Sequence, residues 1–264
     1  MGVSETPDGV GYRLDAGVAT IELRRPALDV ALRGGLSDAV RQVRDGGDAV
    51  RAVLLAAQGR HFCVGQDLKE HARALESGPE TAFACVRDEY NPLIEALHAL
   101  TQPVVVAVEG ACVGAGLGLA LCADVRVAAE GARFATAFTG IGLAADSGLS
   151  GALAQAVGPS RAAALMLLGD RFGAADAERW GMVHRVVPDG SATAEGLALA
   201  KRLAAGPTAA YAEVKALLRD APGASLAVVL EREAAAQLRL GATRDHRAAV
   251  AAFLARAEPS FEGR

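Results

Sequence analysis

The stretch Pro103–Asp124, PVVVAVEGACVGAGLGLALCAD, holds the residues best suited to chemistry carried out by backbone groups. Its β-branched run, Val104–Val108, predicts a buried strand. Small residues then follow at four nearby positions, which are Gly114, Ala115, Gly116 and Gly118. They let the chain turn sharply and let a ligand approach the main chain. The segment after them is predicted to be a helix whose first N–H groups face the turn. The pattern therefore indicates a site for an anion or for the oxyanion of a reacting carbonyl.

Two other interpretations of these glycines stay open at this point. A tightly packed strand–helix junction without any ligand has the same composition. A dinucleotide site is less well supported, because after Gly114 and Gly116 the third glycine of a G-x-G-x-x-G motif would fall at Leu119. No Lys-Ser or Lys-Thr pair of a phosphate-binding loop follows either. The stretch needs a partner elsewhere in the chain before it indicates a function.

Composition narrows the class of protein. The 264 residues carry a net charge of −4 with acidic and basic residues interleaved, so nucleic acid is not an expected partner. The cysteines Cys63, Cys85, Cys112 and Cys122 form no C-x-x-C pair and are expected to be free thiols in a reducing compartment. No signal peptide pattern and no apolar run of about 18 residues is present. We expect a soluble, cytoplasmic protein with no metal site.

The predicted elements alternate between strands and helices through residue 130, which favours an α/β fold with a mostly parallel sheet. The predicted strands besides Val104–Val108 are Val18–Leu23, Val50–Ala56, Asp124–Ala129 and Val183–Val187. Glu80–Leu100 is helical in pattern, with a break or kink at Pro92. Further helices are predicted over 149–157, 159–168, 174–180, 192–205, 207–219, 223–240 and 243–256. We expect a sheet-based core over 1–200 and a helical region over 201–264.

Several segments together resemble the crotonase (enoyl-CoA hydratase/isomerase) superfamily. They are GRHFCVGQDLKE, QPVVVAVEGACVGAGLGLALCADVRVAAEGARF, IGLAADSGLSGALAQAVG, LLGDRFGAADAERWGMVHRVVP and AAFLARAEPSFEGR. The resemblance covers nearly the whole chain, in order and at the expected spacing. It implies a spiral of ββα units with a helical C-terminal trimerisation region, and a homotrimer or a dimer of trimers. It also implies an acyl-CoA thioester substrate, with coenzyme A arriving as part of that substrate and no separate cofactor.

By motif position, the family's two oxyanion-stabilising backbone N–H groups would belong to Gln66 and Ala115. Two such donors cost no reorganisation during the reaction and contribute a few kcal/mol each. Gln66 is bulkier than the alanine that many members carry. The positions implied to bind the CoA portion are Ala27, Leu28, Cys63, Asp67, Leu68, Lys69, Arg256 and Phe261. For Arg256, a solvated helix charge is the alternative.

The sequence departs from the hydratases of this family at both catalytic glutamates. The motifs place the first at Gly118 and the second at Phe138. Adding water across a double bond needs a base for the water and an acid for the carbon, which paired carboxylates supply. A site without them is expected to be a poor hydratase. Asp146, eight residues after Phe138, lies where several isomerases of the family place an aspartate.

One carboxylate is sufficient for a 1,3-proton shift, so Asp146 is predicted to be the acid and base of an enoyl-CoA isomerase. An apolar wall from Phe138, Leu143 and Leu149 is expected to raise its pKa. Alternatively, Asp146 only caps the helix that follows. Glu89 and Glu95 are expected to be solvated helix charges.

Three other functions remain open from the sequence. They are an enoyl-CoA hydratase, an acyl-CoA thioesterase in which Asp146 activates water, and a non-catalytic acyl-CoA-binding relative. The last would be unaffected by Asp146→Asn. The acyl chain itself is not identified by the sequence. The pocket walls are expected to come from loops around residues 71–90 and 137–149, where small changes select the chain.

Overall fold

The structure is a computed structural model that describes residues 4, 5 and 9–264. Its strands are β1 (Ser4–Glu5), β2 (Val10–Asp15), β3 (Val18–Leu23), β4 (Ala27–Leu28), β5 (Ala52–Ala57), β6 (Gly65–Gln66), β7 (Val104–Val108), β8 (Ala111–Val113), β9 (Val125–Ala129), β10 (Arg133–Ala135), β11 (Phe172–Gly173) and β12 (Arg185–Val187). The main sheet has the order β1-β2-β3-β5-β7-β9-β12. From β3 to β12 its neighbours run parallel, as the alternation of elements predicts.

The helices lie between and after these strands. They are α1 (Val30–Asp45), α2 (Leu68–Leu75), α3 (Pro79–Cys85), α4 (Asn91–His98), α5 (Ala115–Leu121), α6 (Leu149–Val157), α7 (Pro159–Leu168), α8 (Ala174–Arg179), α9 (Ala192–Ala204), α10 (Thr208–Asp220), α11 (Leu226–Gly241) and α12 (Arg244–Leu254). Short 3-10 turns occupy Gly47–Ala49 and Thr139–Ile141, and a π-helical turn occupies Val86–Tyr90. Among the described residues, no helix is both long and apolar enough to cross a membrane.

Each long parallel strand begins a repeating unit in which a short strand and then a helix follow. The units are β3-β4-α1, β5-β6-α2, β7-β8-α5 and β9-β10-α6. The short strands pair with one another, β4 with β6 and β8 with β10, and a bridge between Cys63 and Cys112 links the two pairs. The chain therefore winds as the spiral of ββα units that the sequence motifs imply.

Alternating side chains of the main sheet build two apolar layers. Val53 and Leu55 of β5 face the large core that α1 and α4 cover. Leu54 and Ala56 face a second layer, which α9 covers through Leu199 and other residues. Because side chains of a strand alternate between faces, a strand buried on both sides is apolar throughout, as β7 is. The boundary predicted after residue 200 lies inside α9, which packs on the sheet, so the helical region starts with α10.

The predicted helix over Glu80–Leu100 consists of α3, the π-helical turn and α4. Pro92 has no N–H for the carbonyl four residues earlier, and the Asn91 N–H donates to the Val86 carbonyl five residues earlier. The predicted break at Pro92 is therefore a widened turn just before it. This turn and α3 form one wall of the candidate site.

Candidate active site

The two predicted oxyanion segments lie against each other. Gly65, at the start of β6, has φ +87°, and a Cβ there would lie 3.2 Å from the Val113 carbonyl oxygen and 3.5 Å from the Ala115 nitrogen. Only glycine fits such a close approach at positive φ without strain. The absent side chain therefore lets the β6 backbone contact the first residue of α5.

Backbone N–H groups are concentrated at this contact. Ala115 is the first residue of α5, and the first N–H groups of a helix have no acceptor within it. The Asp67 N–H donates to the Leu28 carbonyl at 3.3 Å. Since neighbouring N–H groups of an extended segment point to opposite sides, the Gln66 N–H faces away from β4. Two main-chain donors on adjoining segments are an arrangement suited to a carbonyl oxygen.

Cys63 has a packing role beside this contact. A Cβ at Gly116 would lie 2.5 Å from the Cys63 carbonyl oxygen and 2.8 Å from its Sγ. The Cys63 thiol is completely buried, and burial raises its pKa to about 12. A thiol of that pKa is not a nucleophile at neutral pH. Gly116 and Cys63 thus fix the distance between β6 and α5.

Asp146 lies in the loop before α6, on the wall of a cavity of about 690 Å³. Burial raises the pKa of its carboxyl, and a hydrogen bond from Ser147 partly opposes that rise. The Ser147 Oγ donates to Asp146 Oδ1 at 2.8 Å. Within the described residues α6 has Gly148 at its N-cap with no side-chain capping bond, and the Leu149 N–H donates to the Asp146 backbone carbonyl. The carboxylate is therefore not used as a helix cap.

The cavity is lined by both apolar and charged side chains. The loop before α6 contributes Leu143, Ala144 and Ala145, and the facing wall contributes Phe83, Ala84 and Val86 together with Glu80, Arg87, Asp88 and Asn91. Apart from Asn91, these lining residues fall within the two ranges, 71–90 and 137–149, from which the sequence leads us to expect the pocket walls.

The side chain of Gln66 also reaches the facing wall. Its Nε2 donates to the Cys85 Sγ at 3.6 Å, and the Cys85 Sγ lies 3.5 Å from the Ala82 carbonyl oxygen. Burial raises the pKa of the Cys85 thiol, so the thiol is neutral at pH 7. Gln66, which is bulkier than the alanine that many family members carry at this position, thus connects β6 to α3.

Neither position of the hydratase glutamates holds a carboxylate. Gly118 has no room for a side chain, and the other position is occupied by Phe138. A Cβ at Gly118 would lie 2.7 Å from the Ser147 carbonyl oxygen and 2.8 Å from the Ser147 Cβ. Phe138 is half-buried, and its ring lies 3.9 Å from an ideal Cβ at Gly114. Asp146, the predicted catalytic carboxylate, lines the cavity together with Glu80 and Asp88.

The remaining predicted binding residues fall into separate places. Ala27 and Leu28 form β4 beside β6, and Leu143 lines the cavity with Asp146. Asp67 caps α2 by accepting from the Lys69 and Glu70 N–H groups, and the Glu70 bond is the main reason that its pKa is lowered. Leu68 and Lys69 are exposed, whereas Leu149 is completely buried in the core.

Arg256 and Phe261 lie in the C-terminal segment. Arg256 is exposed and follows α12, and the Phe261 carbonyl accepts a hydrogen bond from Arg51 at 3.1 Å. Within the described residues, neither contributes to the walls of the Asp146 cavity. The structure of one chain thus separates them from the acidic group.

A buried arginine behind the site was not predicted. Arg33 of α1 is 2% exposed and donates to Glu89, to Glu70 and to the Leu28 carbonyl at 2.7, 2.7 and 2.8 Å. Burial alone would lower its pKa, but the bonds to the two glutamates raise it. The expectation that Glu89 is a solvated charge is therefore wrong, because it pairs with Arg33. An isolated arginine among apolar helix positions gives no sequence signal of its partners.

No group of three or more His, Cys, Asp or Glu side chains in the described part of the chain is placed to hold a metal ion. The candidate site therefore comprises the two backbone donors, the half-buried Asp146 carboxylate and an open cavity whose lining also includes Glu80 and Asp88.

Comparisons with known proteins agree over nearly the whole chain. Residues 13–264 match the family model described as enoyl-CoA hydratase/isomerase. The chain is 41% identical over 259 residues to a Rhodobacter capsulatus protein named probable enoyl-CoA hydratase, covering 97% of this chain and 98% of that one. It is 36% identical over 257 residues to the 1,2-epoxyphenylacetyl-CoA isomerase of Escherichia coli, covering 95% and 97%.

A solved structure gives the same result for the fold. A protein from Mycobacterium abscessus, provisionally named enoyl-CoA hydratase/isomerase, superposes with a TM-score of 0.93. It is 56% identical in sequence, and the match covers 97% of this chain and all of that chain.

Proposed function

The chain belongs to the enoyl-CoA hydratase/isomerase family, and from that premise we propose that it moves a double bond within an enoyl-CoA thioester. The observation that carries this proposal is Asp146, a half-buried carboxylate of raised pKa on the wall of an open cavity. A 1,3-proton shift needs one group that accepts a proton at one carbon and returns it at another. A single carboxylate meets this need.

The thioester oxygen would be bound by the N–H groups of Gln66 and Ala115. Their segments adjoin at Gly65, and a helix N-terminus favours negative charge. Donors fixed in place before the reaction stabilise the charge that develops on the oxygen, and loss of one typically costs about 10²–10³-fold in rate. The backbone therefore supplies electrostatic stabilisation and the carboxylate supplies proton transfer.

The proposed reaction begins with a 3-enoyl thioester. The Asp146 carboxylate removes a proton from the α carbon, and the electron pair of that C–H bond delocalises onto the thioester oxygen as a dienolate. The carboxylic acid then returns its proton to the γ carbon, which leaves a 2-enoyl thioester and the original carboxylate. No water is consumed or released, and a raised carboxyl pKa brings the base closer in strength to its carbon acid.

Hydration is less well supported, although one similar protein is named a probable hydratase. Both hydratase glutamate positions lack a carboxylate, and a side chain at Gly118 would overlap the Ser147 backbone. Thioester hydrolysis would require Asp146 to direct water at the carbonyl carbon rather than to contact the acyl chain. The apolar surface of Leu143 and Ala145 beside Asp146 favours an acyl chain at that place.

We also propose how the rest of the substrate is held. β4 and the start of α2 would contact the pantetheine portion through Ala27 and Lys69, whereas the predicted contact at Leu28 is not supported because that side chain is completely buried. Arg256 and Phe261 would reach the nucleotide portion across a subunit contact, since they lie away from the cavity of their own chain. The chain would then act as a homotrimer or a dimer of trimers.

The test follows hydrogen exchange and product together. Purified protein is incubated with 3-enoyl-CoA and 2-enoyl-CoA in deuterated water, and the products are followed by mass spectrometry. We expect interconversion of the two with incorporation of deuterium and without the added mass of water. Asp146→Asn should lower kcat/KM by about 10²–10⁴-fold, the usual contribution of a general acid–base group.

Asp48→Asn is the matched control, because Asp48 is an exposed aspartate in the 3-10 turn far along the chain from the site. It should retain full activity. Formation of 3-hydroxyacyl-CoA or of free CoA, or full activity in Asp146→Asn, would contradict the proposal.

A further inference from the structure

The residue after Asp146 has an unusual backbone for its type. Ser147 has φ +52° and is 2% exposed, and Gly148 follows with φ +70°. Positive φ is uncommon for residues other than glycine, asparagine and aspartate, because the Cβ then crowds the backbone. A glycine at 147 would remove this crowding. The Ser147 hydroxyl, however, donates the 2.8 Å hydrogen bond to Asp146 Oδ1, and glycine has no hydroxyl with which to make it.

Helix α5 holds the other side of this turn. A Cβ at Gly118 would lie 2.7 Å from the Ser147 carbonyl oxygen, far inside normal contact. Gly118 has ordinary helical φ and ψ, so its own backbone does not require glycine. It is the close contact with Ser147 that requires glycine at position 118. The same helix begins at Ala115, so a single rigid element supports the proposed oxyanion donor at one end and the Asp146 turn one helical turn later.

We propose that Ser147 is a positioning residue for Asp146 and that Gly118 provides the space that its turn requires. This inference rests on the proposed function, in which Asp146 transfers the proton. The hydroxyl fixes the rotation of the carboxylate, so that the group faces the cavity in one orientation. It also stabilises the ionised form, which burial disfavours.

The two other buried titratable groups near Asp146 do not titrate in the acid range. The Cys85 thiol from α3 and the Tyr90 phenol from the π-helical turn both have raised pKa values because they are buried, so they are neutral in the acid range. Glu80, Arg87 and Asp88 line the facing wall of the cavity and are more exposed to solvent. The acidic limb of a pH–rate profile should therefore report Asp146.

The experiment measures the titration of Asp146 directly and through activity. Protein labelled with ¹³C at aspartate carboxyl carbons is titrated by NMR, and the Asp146 signal is assigned by its loss in Asp146→Asn. Ser147→Ala and Ser147→Gly should raise the midpoint and the acidic limb of kcat by about half a pH unit or more, since a lost bond to a charged group shifts its pKa. We expect kcat to fall at least about tenfold, with KM changed by less than threefold, because misplacement of a reacting group mainly affects the chemical step.

Further variants separate positioning from general damage to the fold. Ser147→Gly relieves the positive φ, so it should fold even where Ser147→Ala does not. Gly118→Ala should reproduce the loss of kcat by displacing the turn. Gly151→Ala in α6 is its control, since no described atom outside its own stretch of helix lies within 4 Å of a Cβ there.

The results distinguish this inference from the proposed function. An unchanged midpoint and unchanged kcat in both Ser147→Ala and Ser147→Gly would overturn the role of Ser147. If the wild type fails to isomerise enoyl-CoA but Ser147→Ala and Ser147→Gly still raise the Asp146 midpoint in the NMR titration, the proposed reaction is contradicted and the Ser147–Asp146 coupling stands.

Discussion

At the scale of single residues, the burial that suits Asp146 to proton transfer also destabilises the folded chain when its carboxyl is ionised. Its carboxyl is half-buried, and burial raises its pKa above the ordinary value despite the bond from Ser147. An ionised carboxylate is therefore less favourable in the folded chain than in the unfolded chain. Such a cost is common for groups whose function needs an unusual environment.

This cost predicts a pH-dependent gain in stability on removal of the charge. A carboxyl whose folded-state pKa is raised binds its proton more tightly when folded. It therefore favours folding at pH values below its ordinary pKa of about 3.9, and that advantage is lost as the pH rises through the raised value. At pH 7, Asp146→Asn should therefore raise the melting temperature.

The comparison is made by thermal unfolding from pH 3 to pH 8. The difference between Asp146→Asn and the wild type should shrink towards zero below about pH 4, where both side chains are neutral. Asp48→Asn, at an exposed aspartate, should show no such pH-dependent gain. A melting temperature of Asp146→Asn below that of the wild type at pH 7 would contradict the predicted cost.

At the scale of elements, the segment from α2 to α4 is held against α1 by buried Arg33, which pairs with Glu70 and Glu89. Arg33 joins α1 to Glu70 of α2 and to Glu89 of the π-helical turn, and it also donates to the Leu28 carbonyl of β4. The Tyr90 hydroxyl donates to the same carbonyl at 3.4 Å. β4 pairs with β6, so Arg33 connects the facing wall of the cavity to the strand that contains Gln66.

Replacement of Arg33 should therefore destabilise the whole wall. Removal of one partner of a buried ion pair costs about 3 kcal/mol or more, because the remaining charges lose their compensation. Glu70 and Glu89 are each about one-third exposed and can partly rehydrate, so we place Arg33→Met near 3 kcal/mol in the free energy of unfolding. Urea unfolding at pH 7 measures this change.

Arg41→Met on the same helix is the matched control. Arg41 pairs with Asp38 at 2.9 Å, but both side chains are about half exposed or more, and such surface pairs contribute under about 1 kcal/mol. If the two variants lost equal stability, the buried group would not be the organising feature of this segment.

The sequence predicts some of these elements and contacts and not others. Val104–Val108 was predicted to its exact bounds because a β-branched run between a proline and a Glu-Gly pair has few alternatives. Gly118 was identified as an absent glutamate, but its contact with Ser147 depends on two segments that meet only in the folded chain. Arg33 and its glutamates are 37 and 56 positions apart, and spacing along a helix carries no information on such pairs.

At the scale of the whole molecule, the spiral explains how one helix can serve two parts of the site. Each ββα unit adds a long strand to the main sheet and a short strand beside it, which brings β6 against α5 and α5 against the Asp146 loop. Composition and periodicity predicted an α/β fold with a parallel sheet, and they could not order the strands. The motifs that resemble the family supplied the spiral, because they appear in order along nearly the whole chain.

The exposed apolar surface of the C-terminal helices predicts that copies of this chain associate. In α11 the described buried residue is Ala236, and in α12 it is Asp245. Large apolar side chains of this region are instead exposed, among them Leu238 at 80% and Phe253 at 82%. An amphipathic helix normally hides its apolar stripe, and a larger exposed apolar surface marks an interaction site. We expect other copies of this chain to cover this face.

Sedimentation velocity should therefore give the mass of three or six chains of 26.9 kDa. Leu238→Glu places a carboxylate in the proposed contact and should dissociate the assembly, since burying an unpaired charge is costly. Leu168→Glu on α7 is the comparison, because Leu168 is 72% exposed and lies outside the C-terminal helices. A monomeric wild type, or an assembly that withstands Leu238→Glu but not Leu168→Glu, would place the contact elsewhere on the molecule. If Arg256 and Phe261 bind the nucleotide portion across this contact, dissociation should also raise the KM for enoyl-CoA more than it lowers kcat.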